Sequence, residues 1–327
     1  RQMCIRDRGW LVGPANQGLR CMFQLMNEAR LMVGVTAVGT ASVAYHESIT
    51  YARNRPQGRA MTNRDPSSPQ IPIIQHADVR RLLLAQKAIV EGNLALLLTC
   101  ARYGDIADAG EGDAKAEAQR LLDLLTPIAK SYPSEKGFES NAAAVQVHGG
   151  YGYTSEFLPE SLLRDQKLNT LHEGTTAIQS MDLLGRKIFG DGGAAVGLLN
   201  VEIQKDVDTA RALPRLSSHA IALGAACEKW AVTLATLGGR AAGGDVEGAM
   251  GHSVTHLEMA SVIVVAWQWL RMATLAVKGG TRGPAFYDGK LRAADYWFSH
   301  ELPRVHAMAD LLTGPDESFA TMADASF

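Results

Sequence analysis

Gln-Val-His-Gly-Gly-Tyr-Gly-Tyr at 146–153 and Leu-Leu-Arg-Asp-Gln-Lys-Leu-Asn-Thr-Leu-His-Glu-Gly-Thr-Thr-Ala-Ile-Gln at 162–179 decide the reading of this chain. A helix enters the stretch, stops on glycine, crosses a polar segment and restarts. Gly149 stands where a helix takes a left-handed C-terminal cap. Thr176 with Gln179 three residues later reads as a capping box, so a new helix begins at Thr176. Its apolar line is Ile178, Met181, Leu184 and Ile188. Gly149, Gly150 and Gly152 allow close backbone approach, and exposed N–H groups there could receive a pyrophosphate. A sharp reversal with no ligand would use the same residues. The strand–glycine–helix context of a nicotinamide fingerprint is missing, which excludes that reading.

Outward from this stretch, nearly everything reads as helix. A long helical pattern runs from Gly18 to about Ala52, with Leu19, Met22, Phe23, Met26, Arg30 and Val33 on one face. Residues 54–72 read as a loop rich in Pro, Ser, Asn and Arg. A second helix spans Ala77 to about Tyr103, with Val79, Leu82, Leu83, Ile89, Leu97 and Leu98 as its buried stripe. A third covers about Gly112 to Lys130, and a fourth begins at Ser134 and ends at Gly149. The segment from Gly190 to Gly197 reads as a linker, and Gly238 to Gly251 as a second glycine-rich break. Helices are expected at 201–212, 216–237, 253–277 and 290–312. The fold class is therefore all-α: an antiparallel four-helix-type bundle followed by a second helical C-terminal unit.

The bulk numbers narrow the function classes. The chain has 327 residues and a formal net charge of -2, so no basic field favours nucleic acid or an acidic membrane. Cys4, Cys21, Cys100 and Cys227 are far apart, which gives neither a disulfide framework nor metal spacing, and points to a cytoplasmic setting. The nine histidines are dispersed, and no metal site is expected. The apolar run 260–270 is broken by Gln268 and followed by Arg271; a span needs about 20 apolar residues, so it reads as a buried helix and no membrane span is expected. The first eight residues carry no apolar signal region and read as foreign or uninformative, and the chain does not begin with Met.

Among candidate chemical groups, Glu173 comes first. A carboxylate just before a helix is ordinarily a solvated cap favoured by the helix dipole. In an apolar cleft it would instead be a general base for a carbon-bound proton. Arg30 lies in an apolar stripe one turn after Asn27 and needs a partner, either an internal carboxylate such as Glu28 or a ligand. Arg55 shares its loop with Arg53, Arg59 and Arg64, which fits a solvated basic loop or a phosphate clamp.

At these residues the chain resembles the acyl-CoA dehydrogenase family. The motifs at 146–153, Leu-Arg-Asp at 163–165 and His-Glu-Gly-Thr-Thr-Ala-Ile-Gln at 172–179 follow the family's order and spacing. Leu-Val-Gly-Pro-Ala-Asn-Gln-Gly-Leu at 11–19 and Met-Asn-Glu-Ala-Arg at 26–30 resemble its entry into the C-terminal bundle. The tail, with Glu-Leu-Pro-Arg-Val at 301–305, is similar to the long branch that includes 3-methylmercaptopropionyl-CoA dehydrogenases. The resemblance implies residues 1–17 as a remnant of a middle β domain, 18–190 as the bundle and 198–327 as a helical extension. It implies α,β-dehydrogenation of an acyl-CoA. Glu173 would take the pro-R α-proton, and the base's own backbone N–H would polarise the thioester carbonyl. Hydride would pass from the β-carbon to FAD. It implies Arg55, Gln146, Gly149, Gly150 and Thr175 as FAD contacts, and Asn27, Arg30 and Gly174 as substrate contacts. An electron-transferring flavoprotein is the implied acceptor, and a homodimer or homotetramer the implied assembly.

Departures from the family pattern are specific. His172 replaces the aromatic residue usual before the base, and Arg-Pro-Gln-Gly at 55–58 is one residue shorter than the common loop. The family's N-terminal helical domain and most of its β domain have no counterpart here, so the chain reads as a fragment, inactive by itself. Two other readings stand beside it: a non-catalytic helical assembly module derived from the family, and an acyl-CoA oxidase. A short acyl group is the expected substrate.

Overall fold

The computed structural model describes residues 8–63, 65–316, 318–319 and 321–327, with backbone only at positions 23 and 24. Residues 1–7, Arg64 of the basic loop and the Phe23 side chain of the first helical face lie outside that description. Among the described residues there is no strand, only one antiparallel bridge between Pro56 and Pro72.

Three long helices form the bundle: α1 (Gly18–Asn54), α2 (Ala77–Ala109) and α3 (Gly112–His148). Each packs on the other two. Only Gly110 and Glu111 separate α2 from α3, so the chain reverses and the pair is antiparallel. The short helix α4 (Leu158–Leu168) lies on α1 and α3. Helix α5 (Thr176–Met181) passes without a break into a wide π-helical stretch, Asp182–Phe189.

The sequence predicts a break at 131–133, but α3 runs unbroken through Pro127 and Pro133. A proline inside a helix loses one hydrogen bond and costs about 3 kcal/mol or more. Here every residue from 124 to 134 is buried, so packing on all sides outweighs that cost. Pro133 has no N–H to give the Ala129 carbonyl. That oxygen instead faces Gly34 of α1, where an added Cβ would lie only 2.1 Å away. Glycine at 34 is therefore what lets α1 and α3 meet backbone to backbone.

The C-terminal helices are α6 (Ala194–Arg211), α7 (Ser217–Ala242), α8 (Val246–Gly251), α9 (Ser253–Lys278), α10 (Pro284–Tyr296) and α11 (Arg304–Thr313). Helix α9 is their hub. Residues 259–270 are buried on every side, and the helix packs on α2, α3 and α5 as well as on α6, α7, α10 and α11. Gly92 of α2 admits it: an added Cβ there would lie 2.6 Å from the Trp269 indole nitrogen, which donates to the Ala88 carbonyl at 3.1 Å. One cluster of buried side chains consequently runs from α1 to α11.

Several sequence expectations need correction. The linker at 190–197 is a turn of four residues, because α6 already begins at Ala194 with the Asp191 carboxylate accepting from the Ala195 amide at 2.7 Å. The glycine-rich break shrinks to the turn after Ala242, since α7 continues to that residue and α8 follows. The single helix at 290–312 is two helices around a π-helical turn, Trp297–Glu301. Leu19, Met22 and Leu98 are exposed rather than buried. The line of four after Thr176 splits, with Ile178 and Met181 exposed and Leu184 and Ile188 buried, because the π-helical stretch shifts the angular register. By length and composition alone, α2, α7 and α9 could each cross a membrane; the most apolar window of α9 is 78% buried within the protein.

Two outcomes test this packing. Gly34→Ala should lower the stability measured by urea unfolding by about 1–3 kcal/mol, because neither backbone can yield. His256 of α9 accepts from the Trp230 indole N–H of α7 at 3.0 Å, and burial lowers its pKa to about 4. Only the unfolded chain binds that proton between the ordinary histidine value and about 4, so stability is full above that range and falls as pH drops through it. The expected loss is about 3 kcal/mol. Unfolding curves from pH 7 to 4 should show it, and His256→Gln should flatten it.

Candidate active site

The segment between α4 and α5 is held in an uncommon backbone shape. Glu173 has φ 56 and Gly174 has φ 94, two consecutive left-handed residues. The conformation is costly for a residue with a Cβ, on the order of 1 kcal/mol or more, and persists only where neighbours impose it. Two buried side chains do so. The Gln179 amide donates to the Glu173 carbonyl at 2.8 Å, and the Lys130 ammonium donates to the Gly174 carbonyl at 2.7 Å. Gly174 must be glycine for a second reason, since a Cβ would sit 2.7 Å from the Gln179 amide nitrogen.

This geometry replaces the expected capping box. The N-cap is Thr175, in extended conformation and without a side-chain cap bond. The Thr176 hydroxyl donates across to the Glu135 carboxylate of α3, and Gln179 reaches back past the cap to Glu173. The Glu173 side chain is half-buried, and His172 and Thr175 are exposed on either side.

Lys130 is fully buried although it is charged. Burial lowers its pKa to about 8; nearby Glu135 and Glu173 pull it back up, while Arg30 pushes it down. Arg30 is likewise buried and binds Asp182 at 2.8 Å, with Asn27 at 3.5 Å. The internal partner is thus Asp182, not Glu28, which is exposed on the far side of the helix. Arg186 meets the other Asp182 oxygen at 2.7 Å. This ion pair joins α1 to the first residue of the π-helical stretch that follows α5.

The remaining predicted residues gather elsewhere. Gln146 lies sixteen residues beyond Lys130, about 24 Å along α3 at 1.5 Å per residue. Gly149 ends the helix with φ 63 and ψ -142, a conformation reserved for glycine, and Gly150 follows it; both are exposed with open space where a Cβ would point. Arg55 joins them: its guanidinium stands 5.4 Å from the Tyr151 ring, and its buried Nε has no hydrogen-bond partner among the described residues. Arg59 is already committed to loop carbonyls, those of Ser68 at 2.6 Å and Pro66, while Arg53 is exposed.

The structure thus divides the predicted residues into two sets at different levels of α3. Glu173, Gly174, Thr175, Asn27 and Arg30 stand at one; Arg55, Gln146, Gly149 and Gly150 stand at the other. Lys130, Asp182 and Gln179 as anchors, and Tyr151 as a platform, escaped the sequence reading. Lys130 had a visible signal, a lone charge between two prolines with no other charged residue from 124 to 134. No group of three or more metal-ligating side chains occurs among the described residues. Asp182→Asn should cost about 3–5 kcal/mol in urea unfolding by leaving Arg30 charged and buried without a carboxylate. Arg30→Met should cost less, because Arg186 stays on Asp182.

Comparison with known proteins identifies the family of the chain. The family model described as acyl-CoA dehydrogenase, C-terminal domain, matches residues 16–188, and that described as acetyl-CoA dehydrogenase C-terminal like matches 199–323. The chain is 34% identical to the broad-specificity linear acyl-CoA dehydrogenase of Mycobacterium tuberculosis, over 99% of this chain and 55% of that protein. It is 35% identical to the 3-methylmercaptopropionyl-CoA dehydrogenase of Ruegeria pomeroyi, over 96% of this chain and 53% of that protein. The chain therefore spans about half the length of these relatives. The crystal structure of a Bacillus anthracis acyl-CoA dehydrogenase complexed with FAD shares the fold, with a TM-score of 0.73 and 20% identity over 92% of this chain and 50% of that one. With both helical units matched, the chain belongs to the acyl-CoA dehydrogenase family.

Proposed function

We propose that this chain supplies the base-bearing half of an FAD-dependent acyl-CoA dehydrogenase, which forms a 2,3 double bond in a short acyl-CoA. The observation that carries the reading is the Glu173 turn. A carboxylate is held in a left-handed conformation by two buried donors, within the segment that bears the family motif. A surface cap would need no such restraint.

In this reading Glu173 takes the α-proton, and its carboxylate becomes a carboxylic acid. The fixed turn sets the carboxylate's direction, so little motion is needed at the moment of transfer. The Glu173 backbone N–H lies in the same held turn and would donate to the thioester carbonyl, stabilising the charge that develops there. Arg30 and Asn27 act through position, since Arg30 fastens α1 to the π-helical stretch that follows α5.

The second cluster fits a flavin nucleotide. Arg55 offers a buried nitrogen without a partner, and Gly149 and Gly150 leave backbone open beside it. Arg55, Gln146, Gly149 and Gly150 would hold the diphosphate end, and Thr175 the ring end beside the base. When bound, FAD accepts the β-hydrogen with its electron pair, and an electron-transferring flavoprotein would reoxidise it. The family resemblance at Arg55 and 146–150 implies a cofactor site completed by two copies, and hence a homodimer or homotetramer.

The test uses the chain joined to the upstream coding sequence of its gene, mixed with FAD and a series of short acyl-CoAs. Flavin bleaching is expected, with Glu173→Gln slowing it about 100- to 10,000-fold. Equal bleaching by the variant would remove Glu173 as base. A protein that binds no flavin would favour the assembly module, and peroxide release in air would favour an oxidase.

A further inference from the structure

Lys130 raises a question that burial sharpens. Its side chain sits fully inside α3's enclosed stretch, where a charge opposes folding. The fold has Met, Leu and Gln among its buried residues and could have filled this space without a charge. What the lysine supplies is a strong donor aimed at one atom, the Gly174 carbonyl at 2.7 Å. That carbonyl belongs to the second of the two left-handed residues, and the first is Glu173.

We infer that Lys130 is a positioning residue: its ammonium holds the Gly174 carbonyl and thereby fixes the direction in which the Glu173 carboxylate points. The consequence for catalysis rests on the reading of Glu173 as the base. The anchor itself does not. The Gln179 amide holds the preceding carbonyl, so the turn has one neutral tether and one charged one. Only the charged one responds to pH. A neutral amine donates a weaker hydrogen bond than an ammonium.

The charged groups around Lys130 set where it titrates. Arg30 faces it from α1, Glu135 from the next turn of α3 and Glu173 from the turn itself. Asp182 of the π-helical stretch pairs with Arg30 and offsets its charge, while Arg186 brings a second cation to the other Asp182 oxygen. Burial in this setting lowers the lysine to about 8. The folded protein loses this proton more readily than the unfolded chain, so stability rises as pH passes upward through 8. Activity should move the opposite way, because the tether weakens as the fold gains. A structural lysine alone would not produce that opposition.

The experiment has two arms. In the first, the present chain is labelled with ¹³C at lysine side chains and at glycine carbonyls and titrated by NMR from pH 6.5 to 10. The resonance lost in Lys130→Met identifies the lysine. The Gly174 carbonyl is expected to shift with the same midpoint as Lys130, and to be pH-independent in Lys130→Met. A Gly174 carbonyl that does not follow Lys130 would overturn the anchor whatever the protein catalyses. Should Lys130→Met not fold, Lys130→Gln serves as the second variant for the same assignment.

In the second arm, kcat and KM of the full-length protein are measured across that pH range with the acyl-CoA that best bleaches its flavin. Lys130→Met is expected to lower kcat about 100-fold with little change in KM, as misplacement of the base would, and to lose the fall in kcat above pH 8. Lys130→Arg is expected to recover part of kcat and hold it to higher pH. An unchanged kcat and pH profile in Lys130→Met would overturn the positioning role. Co-titration in the first arm with no flavin chemistry in the second would support the anchor and count against the proposed reaction.

Discussion

Helix α3 is enclosed on every side over residues 124–134, and much of the molecule follows from that constraint. A helix that meets protein all round has no solvated face on which to place polar atoms. Polar groups on it turn back onto the helix or reach a neighbouring segment. Pro133 leaves the Ala129 carbonyl without its usual donor, and α1 meets that oxygen with a glycine. The Ser134 hydroxyl turns back to the Lys130 carbonyl at 2.6 Å. Lys130 reaches out to the Glu173–Gly174 turn. The packing of α1 and the shape of the candidate active site are therefore two consequences of one buried helix.

The turn shows how a stable scaffold holds an unfavourable local shape. Left to itself, Glu173 would leave the left-handed region, since its Cβ crowds the backbone there. Two donors and a glycine hold it in place, and the Arg30–Asp182 pair fastens α1 to the stretch that follows α5. Glu173 stays partly exposed while the side chains that hold its turn, Lys130 and Gln179, are buried. Rigid support beneath a reachable group is the arrangement that proton transfer at carbon requires.

The C-terminal helices are bound to the bundle through α9, whose central residues touch helices of both units. Trp267, Trp269 and Trp297 are buried with each indole nitrogen satisfied: by Asp206 at 2.6 Å, Ala88 at 3.1 Å and Val262 at 3.2 Å. Lys136 of α3 extends the link, buried within 4 Å of Glu139, Glu258 and Glu301. Such contacts make the extension part of the same core that positions the Glu173 turn.

The sequence by itself determined the all-helical class, the starts of the long helices, the stop at Gly149 and the family, because helical periodicity and motif spacing are local properties. It also named Glu173 and Arg30. It could not show that α3 continues through Pro133, because that depends on burial by helices distant in the chain. Nor could it name Asp182 as the partner of Arg30, since the two lie 152 positions apart and only packing brings them together. The capping box at Thr176 failed for the same reason: Glu135 of α3 takes the threonine hydroxyl, Thr175 becomes the N-cap, and the Gln179 amide donates back to the Glu173 carbonyl. Propensity and periodicity fix where helices form. Which polar atoms find each other once water is excluded is decided only in three dimensions, and here that decides how the candidate base is held.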